Sequence, residues 1–196
     1  MRAAIIDLGT NTFNLLVCDP SQGLQVVHSE EVAVFLGRGG IEKGILADDA
    51  MERGMAVLAR FADTARAHGA GRIIGFGTSA LRNARNAHVL VERARSELGI
   101  GISVIPGNEE ASLILEGVRQ AVPFGPKPML VMDIGGGSIE FILATDKALM
   151  WKRSFEIGAT RLRERFVASD PMTIEEQFRL AAYLDAQLEP LFAVME

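Results

Sequence analysis

The chain has 196 residues, of which 48% are hydrophobic and 23% charged, and this ordinary globular composition excludes an intrinsically disordered protein. A formal net charge of −5 argues against a general nucleic-acid binder, and the single cysteine excludes a disulfide framework or a cysteine metal cluster. No apolar run approaches the ~18 residues that a membrane span needs, so we expect no membrane partner. With a single cysteine, Cys18, a reducing, cytoplasmic location is the simplest expectation.

Predicted strands and helices alternate along the chain, which indicates an α/β fold. Before residue 123, the hydrophobic pattern predicts strands over 3–8, 12–18, 26–36, 72–76 and 102–105, and helices over 48–68, 79–98 (with a possible break near 83–86) and 108–122. Prolines then cluster between Pro123 and Pro128, and we place a domain boundary there, with domains over 1–124 and 125–196. The second domain is predicted to hold strands over 129–134, 138–144 and 148–156, and helices over 158–168 and 173–195.

Two segments of the chain resemble each other at an offset of 126 residues, the separation of Asp7 and Asp133. Each reads as two strands joined by a tight turn, with an acid at the end of the first strand and a hydroxyl after the turn. The matched pairs are Asp7 with Asp133, Gly9 with Gly135, Thr12 with Ser138, and Asn14 with Glu140. A duplicated domain is the simplest explanation of this repeat.

The strongest functional signal is the run of three glycines, Gly135 to Gly137, followed by Ser138. Glycines allow a backbone to approach a ligand closely, and their N–H groups can form a cradle for phosphate oxygens. Asp133 and Glu140 flank this run, and carboxylates beside phosphates commonly hold Mg²⁺. A plain hairpin turn is the alternative, but it leaves both acids unexplained.

The matching segment from Asp7 to Thr12 carries only one glycine, so its motif is weaker. An ordinary hairpin turn with Asn11 in a left-handed conformation would also explain it. The repeat favours a second phosphate-gripping loop, in which Asp7, Gly9, Thr10 and Asn11 take part.

Glu110 lies in the first turn of a predicted helix, on a stripe that we expect to be buried. The other members of that stripe are Leu113, Ile114, Gly117 and Ala121. A carboxylate on a buried stripe suits general-base work on a water molecule, whereas a favourable interaction with the helix dipole is the structural alternative.

Arginines supply the candidate cations. Arg82 lies one turn into a helix that follows a strand, where it could reach a phosphate, although an ordinary surface arginine is the alternative. A basic stretch near the second domain's first helix either forms a solvated face or guides a polyanion electrostatically. Its members are Arg153, Arg161, Arg163 and Arg165.

Five short motifs, in this order, resemble the exopolyphosphatase / guanosine pentaphosphate phosphohydrolase (Ppx/GppA) family. They are DLGTNT at 7–12, GTSALR at 77–82, GNEEA at 107–111, DIGGGSIE at 133–140 and IGA at 157–159. That family belongs to the actin, sugar-kinase and Hsp70 superfamily. The resemblance implies duplicated ribonuclease-H-like domains (the actin-like ATPase fold) with the substrate in a cleft between them. It also implies that the second domain is incomplete here, with strands that lack partners on one edge.

The resemblance further implies that the protein releases terminal phosphate from inorganic polyphosphate or guanosine pentaphosphate, with Mg²⁺ as cofactor. By position, Glu110 matches the base that activates the attacking water, and Asp133 and Glu140 match the metal-associated acids. The implied phosphate-binding residues are Asp7, Gly9, Thr10, Asn11, Arg82, Gly135, Gly136, Gly137 and Ser138. Ile139 stands where many members of the family have threonine.

Two other functions stay open from the sequence: an ATP-dependent kinase of the same superfamily, and a non-catalytic protein that binds polyphosphate or a guanine alarmone. The sequence does not separate polyphosphate from guanosine pentaphosphate, because the same phosphate grip serves both. We expect no nucleic-acid duplex as a partner, and the resemblance makes a homodimer possible.

Overall fold

The computed structural model describes residues 1–22 and 25–195 of the chain. They form two compact units that divide between Ile105 and Pro106. No helix among these residues is both long and apolar enough to cross a membrane.

A five-stranded mixed sheet forms the centre of the first unit, in the order β3-β2-β1-β4-β5. Its strands are β1 (Arg2–Leu8), β2 (Thr12–Asp19), β3 (Gln25–Ala33), β4 (Ala70–Gly77) and β5 (Gly101–Val104). Neighbours among β1, β2 and β3 pair antiparallel, whereas β4 is parallel to β1 and β5 is parallel to β4. Alternate residues of β1 are buried, as expected of a strand with its apolar side toward a core.

Three helices belong to the first unit: α1 (Asp48–Ala67), α2 (Ser79–Asn83) and α3 (Ala87–Leu98). Two acids in the first turn of α1 are favourably placed at the positive end of its dipole. The core lies between one face of the sheet and the helices α1 and α3, and its largest fully buried side chains include Phe13, Leu58, Phe61 and Leu90. The predicted break in the helix over 79–98 is confirmed, because α2 ends at Asn83 and α3 begins at Ala87.

The second unit contains a three-stranded antiparallel sheet in the order β6-β7-β8 and three helices. Its elements are α4 (Gly107–Ala121), β6 (Met129–Ile134), β7 (Ile139–Ala144), β8 (Leu149–Phe155), α5 (Ala159–Phe166) and α6 (Ile174–Met195). One apolar cluster joins α4 to one face of this sheet, and a second joins the opposite face to α5 and α6.

The two units divide before α4, whereas the sequence places the domain boundary after it, between residues 124 and 125. The difference is α4 itself, which packs on β7 and β8 of the second unit. Hydrophobic contacts with a distant sheet leave no signal in the local composition, and the proline cluster marks only the loop between α4 and β6.

The predicted repeat is visible as two equivalent hairpins, β1–β2 and β6–β7. Asp7 pairs with Asn14 in the first, and Asp133 pairs with Glu140 in the second. The copies differ at one edge: β1 pairs with β4, whereas no described strand pairs with the second edge of β6. The expected unpartnered edge is therefore confirmed within the described residues. On one face of β6, Leu130, Met132 and Ile134 are 41–59% exposed.

A reciprocal pair of hydrogen bonds starts the long helix α6. The Thr173 hydroxyl accepts from the Glu176 N–H at 3.2 Å, and the Glu176 carboxylate accepts from the Thr173 N–H at 2.8 Å, which is a capping box. This buried carboxylate also accepts from the Ser169 hydroxyl and the Ala168 N–H. The Ser169 hydroxyl and the two backbone N–H groups lower the pKa of Glu176 from 4.5 to about 2.

The lowered pKa of Glu176 predicts a specific dependence of stability on pH. The ionised Glu176 carboxylate contributes its full stabilisation of the folded state above pH 4.5. This stabilisation is lost as the pH falls through that value toward about 2, because protonation removes the accepted hydrogen bonds. Glu176→Gln should therefore lower the Tm at neutral pH and flatten the fall of Tm in this acidic window. Thermal unfolding followed by circular dichroism checks this, with the exposed neighbour variant Glu175→Gln as the control. An unchanged neutral-pH Tm for Glu176→Gln would contradict the role of this cap.

Candidate active site

The glycine loop Gly135–Gly137 is a tight turn whose carbonyl groups are all held by the segment that begins α5. The turn closes where the Gly135 N–H donates to the Ser138 carbonyl at 3.0 Å. Each glycine carbonyl accepts a hydrogen bond from a backbone N–H of that segment. The pairs are Gly135 with Ala159 at 2.9 Å, Gly136 with Thr160 at 2.8 Å, and Gly137 with Gly158 at 3.1 Å.

These bonds determine where the N–H groups of the loop point. In a trans peptide the C=O and the following N–H point in opposite directions. Holding the carbonyls of Gly135, Gly136 and Gly137 toward α5 therefore aims the N–H groups of Gly136, Gly137 and Ser138 away from it. None of these three N–H groups donates a hydrogen bond to another of the described residues. Successive N–H groups left without a protein partner are typical of an anion cradle.

Gly158 lies directly against the back of the glycine loop. A Cβ atom added there would stand 2.4 Å from the carbonyl carbons of Gly136 and Gly137. Both neighbours are backbone atoms, so any larger residue must displace the loop. IGA at 157–159 therefore has a structural explanation, which is close contact with the anion cradle.

Asp133 and Glu140 form an acidic pair beside the loop, opposite each other on β6 and β7. Glu140 is only 2% exposed, and its Oε1 accepts the hydroxyl of Ser154, its register partner on β8, at 2.7 Å. Asp133 is exposed, and no side-chain bond to it is found among the described residues.

The acidic pair fits Mg²⁺ as a site completed by a substrate. Within residues 1–22 and 25–195, no group of three or more His, Cys, Asp or Glu side chains could hold a metal ion by itself. Mg²⁺ commonly keeps several waters and binds one or two carboxylates together with phosphate oxygens. Two hard oxygen ligands next to an anion cradle match that requirement.

Helix α4 packs on the sheet face that carries Glu140. Ala111 and Leu115 of the helix are buried against Ile142 and Ala144 of β7. Since side chains alternate between the two faces of a strand, Glu140 points to the same side as Ile142 and Ala144.

The direction of α4 follows from two polar contacts. Near its end, Arg119 donates from Nη2 to the carbonyl of Thr145, just after β7, at 2.8 Å. Near its start, Ser112 accepts a hydrogen bond from Lys152, which is the register partner of Ile142. The helix therefore begins toward the acidic pair, and its first turn brings Glu110 to that end of the sheet.

The expected buried stripe of α4 is wrong in detail. Leu113 is 45% exposed, and Gly117 and Ala121 are exposed as well. The buried line instead follows Ala111 and Leu115, because the helix turns that side toward β7. Glu110 lies half-buried beside this line and interacts with a neighbouring group.

The loop of the first unit repeats the same construction. The Gly9 N–H donates to the Thr12 carbonyl at 3.0 Å, the same length as the turn bond of the second copy. A Cβ on Gly9 would stand 2.7 Å from that carbonyl oxygen, so the turn requires glycine. Asp7 accepts from the Asn14 amide at 3.3 Å across the hairpin.

The carbonyls of this first loop are also held from behind. The Thr10 carbonyl accepts from Gly37 at 3.1 Å, and the Asn11 carbonyl accepts from both Val34 and Phe35 at 2.8 Å. The segment that supplies these donors follows the third strand of its unit, as the start of α5 follows β8. Both loops are therefore supported by the equivalent stretch of chain.

Arg82 lies near the first loop because β4 is the parallel neighbour of β1. The Thr78 N–H, just after β4, donates to the Leu8 carbonyl at 3.3 Å. Arg82 is half-buried, and its Nη1 donates to the Ile105 carbonyl at 3.1 Å, so it is not an ordinary surface arginine. The helix that carries it, α2, is only five residues long.

Comparison with known proteins identifies the family. The model of the Ppx/GppA phosphatase family matches residues 16–195. The chain belongs to the Ppx/GppA phosphatase family.

Several members of this family are similar to the chain. It is 34% identical to exopolyphosphatase 2 of Mycobacterium tuberculosis over 96% of its own length and 62% of that protein. It is 33% identical to a guanosine-5'-triphosphate,3'-diphosphate pyrophosphatase of Photobacterium profundum, over 98% of its own length and 38% of that protein. The crystal structure of an exopolyphosphatase from Cytophaga hutchinsonii superposes with a TM-score of 0.95 at 42% identity, covering 100% of this chain and 63% of that one.

The match confirms the α/β fold class and the duplicated arrangement expected from the Ppx/GppA resemblance. The chain spans less than two thirds of the length of each of these relatives. The Cytophaga hutchinsonii structure matches the whole chain, so both loops, the acidic pair and Glu110 lie within the part shared with it.

Two supporting residues of this Ppx/GppA chain lack an assignment from the sequence alone. Ser154 gives no motif signal, since its bond to Glu140 depends on the register of β7 and β8. Arg161 belongs to the basic stretch, yet its side chain is only 13% exposed and its Nε donates to the Gly137 carbonyl at 3.1 Å. The sequence places it in the basic stretch, and no residue pattern there separates it from Arg163 and Arg165.

The contact of Gly158 with the glycine loop leads to a test of the anion cradle. Gly158→Ala should displace the loop and weaken binding of a phosphate-containing ligand by at least about tenfold, since misaimed donors lose their hydrogen bonds. Isothermal titration with tripolyphosphate measures this. The control is Gly117→Ala on α4, where a Cβ would meet open space and should slightly stabilise the helix. Unchanged affinity in Gly158→Ala would show that the loop does not bind the phosphate.

Proposed function

We propose that this chain carries the phosphate-binding and catalytic groups of a phosphoanhydride hydrolase, which releases terminal phosphate from inorganic polyphosphate or guanosine pentaphosphate. The observation that carries the proposal is the glycine loop, whose carbonyls are all held by the start of α5 so that three consecutive N–H groups stay available to an anion. The acidic pair beside it, and the names of the related exopolyphosphatases, support the same function.

The phosphate grip is assigned to both loops. The N–H groups of Gly136, Gly137 and Ser138, together with the Ser138 hydroxyl, bind phosphate oxygens in the second unit. In the first unit, Asp7, Gly9, Thr10 and Asn11 form the matching loop, and Arg82 supplies a cation. Phosphoryl transfer depends mainly on positioning and on stabilisation of negative charge, which is what such donors provide.

Glu110 is assigned as the general base. Its carboxylate accepts a proton from a water molecule while the water oxygen attacks the terminal phosphorus. The bond from phosphorus to the bridging oxygen breaks, and the products are orthophosphate and a shortened chain. The half-buried position of Glu110 on α4, near the acidic pair, supports this assignment.

Asp133 and Glu140 are assigned to Mg²⁺. When bound, the ion would neutralise negative charge on the phosphate oxygens. The Ser154 hydroxyl holds one oxygen of Glu140, which orients the second carboxylate oxygen relative to the sheet.

The sequence and the fold leave the choice between polyphosphate and guanosine pentaphosphate open. A cytoplasmic location and a homodimer stay predictions. Both substrates end in a phosphoanhydride, and the loops contact only phosphate in this proposal. We expect polyphosphate and guanosine pentaphosphate to compete for the same phosphate-binding groups.

Replacing the general base separates binding from chemistry. Glu110→Gln keeps the size of the side chain but cannot accept the proton, so phosphate release from long-chain polyphosphate should fall by about 10²- to 10⁴-fold. Binding of the same polyphosphate should stay within about threefold of the unchanged chain. Release is measured with the purified chain in the presence and absence of Mg²⁺.

The matched control for that experiment is Glu109→Gln, on the exposed side of the same helical turn. It should retain both activity and binding. Loss of binding with turnover retained in Glu110→Gln would contradict the assignment of the base. Tight binding by the unchanged chain without any release would instead favour a protein that only binds phosphate chains.

Removing one acid tests the metal assignment. Asp133→Asn should raise the Mg²⁺ concentration needed for half-maximal polyphosphate binding by about tenfold, because one charged ligand is lost. The measurement is a Mg²⁺ titration at fixed polyphosphate, with Asp146→Asn in the β7–β8 turn as the control. An unaltered Mg²⁺ requirement in Asp133→Asn would place the metal elsewhere.

A further inference from the structure

Arg161 makes two directed contacts at the back of the anion cradle. Its Nε donates to the Gly137 carbonyl at 3.1 Å, and its Nη2 donates to Glu156 Oε2 at 3.0 Å. Its own backbone N–H also donates to the Gly136 carbonyl at 3.2 Å. Arg161 therefore contacts two of the three carbonyls that set the direction of the loop.

The neighbouring arginines of α5 are different. Arg163 and Arg165 are exposed, and Arg165 lies over the rings of Phe166 and Tyr183. Arg161 is 13% exposed and already forms an ion pair with Glu156. A charge that is buried and paired is poorly suited to attract a distant polyanion, so Arg161 stands apart from the basic stretch.

We propose that Arg161 is a positioning residue that aims the Ser138 N–H, and with it the Ser138 hydroxyl, at a bound phosphate. The Gly137 carbonyl and the Ser138 N–H belong to one peptide plane and point in opposite directions. Two donors on this carbonyl, Gly158 N–H and Arg161 Nε, prevent the plane from rotating. The inference rests on the proposed function, since it takes the ligand of the loop to be a phosphate.

The first unit supports this proposal with a similar arginine. Arg53 of α1 donates from Nε to the Val34 carbonyl at 3.1 Å and from Nη2 to the Phe35 carbonyl at 3.3 Å. The N–H groups of these two residues hold the Asn11 carbonyl of the first loop. A guanidinium therefore supports each loop. Arg161 bonds a loop carbonyl directly, whereas Arg53 bonds the two residues, Val34 and Phe35, that hold the Asn11 carbonyl.

The test uses the whole chain, labelled with ¹⁵N, and tripolyphosphate as the probe. Arg161→Gln should weaken tripolyphosphate binding by about tenfold, the effect of losing one charge-assisted hydrogen bond. The loss should persist at high salt, because a short hydrogen bond is screened much less than a distant charge. The lysine of Arg161→Lys can reach one partner but not both. The affinity of this variant for tripolyphosphate should therefore lie between those of the unchanged chain and Arg161→Gln. Arg163→Gln is the matched control and should have a small effect that disappears at high salt.

The amide signals distinguish a positioning role from a general loss of structure. In Arg161→Gln the Ser138 amide should shift and exchange faster with solvent even without ligand, while amides of the first unit stay unchanged. Glu156→Gln removes the ion pair but keeps the bond to Gly137, so it should bind tripolyphosphate almost as the unchanged chain does. Equal affinities and equal Ser138 signals in Arg161→Gln and Arg163→Gln would overturn the proposal.

The outcomes also separate this inference from the proposed function. If the unchanged chain binds no tripolyphosphate, the phosphate grip itself is refuted, and the ligand-free Ser138 signal still reports whether Arg161 aims that amide. If the unchanged chain binds and the effect of Arg161→Gln vanishes at high salt, Arg161 acts through its charge and the positioning role is refuted.

Discussion

The candidate site depends on one constraint: backbone N–H groups of a neighbouring segment donate hydrogen bonds to the carbonyls of each loop. A peptide group whose oxygen is held in one direction presents its N–H in the other. In the loop Gly135–Gly137, the start of α5 holds all three carbonyls, and three N–H groups are left pointing away from it. The requirement for glycine at Gly158 follows from the same close contact.

Duplication explains why each unit carries one such loop and why the two loops differ. Both copies close with the same turn bond, from Gly9 to Thr12 and from Gly135 to Ser138, at 3.0 Å. The first copy keeps side chains at the tip of its turn, where Thr10 is nearly fully buried. The second copy has only glycine there, so its turn presents backbone groups instead of side chains.

The second unit brings together the groups assigned to chemistry. Its sheet places Asp133, Glu140 and Ser154 in one row, and α4 begins near that row with Glu110 in its first turn. Leu130, Met132 and Ile134 of β6 are exposed, whereas the equivalent residues of β1, Ala4, Ile6 and Leu8, are buried in the core of the first unit. The Ppx/GppA relatives are longer than this chain, so the activity of the whole protein stays a proposal.

Local sequence patterns were enough to predict the elements, the repeat and the loops. Strands and helices follow from hydrophobic periodicity, and three glycines followed by a hydroxyl and flanked by acids are typical of an anion-binding turn. The tertiary structure was needed to show that α4 belongs with the second sheet, that Leu113 is exposed, and that Arg161 is nearly buried against Gly137. These facts depend on which distant strand or loop each helix packs against. The local pattern of apolar residues shows that a helix has a buried side but does not identify the element that buries it.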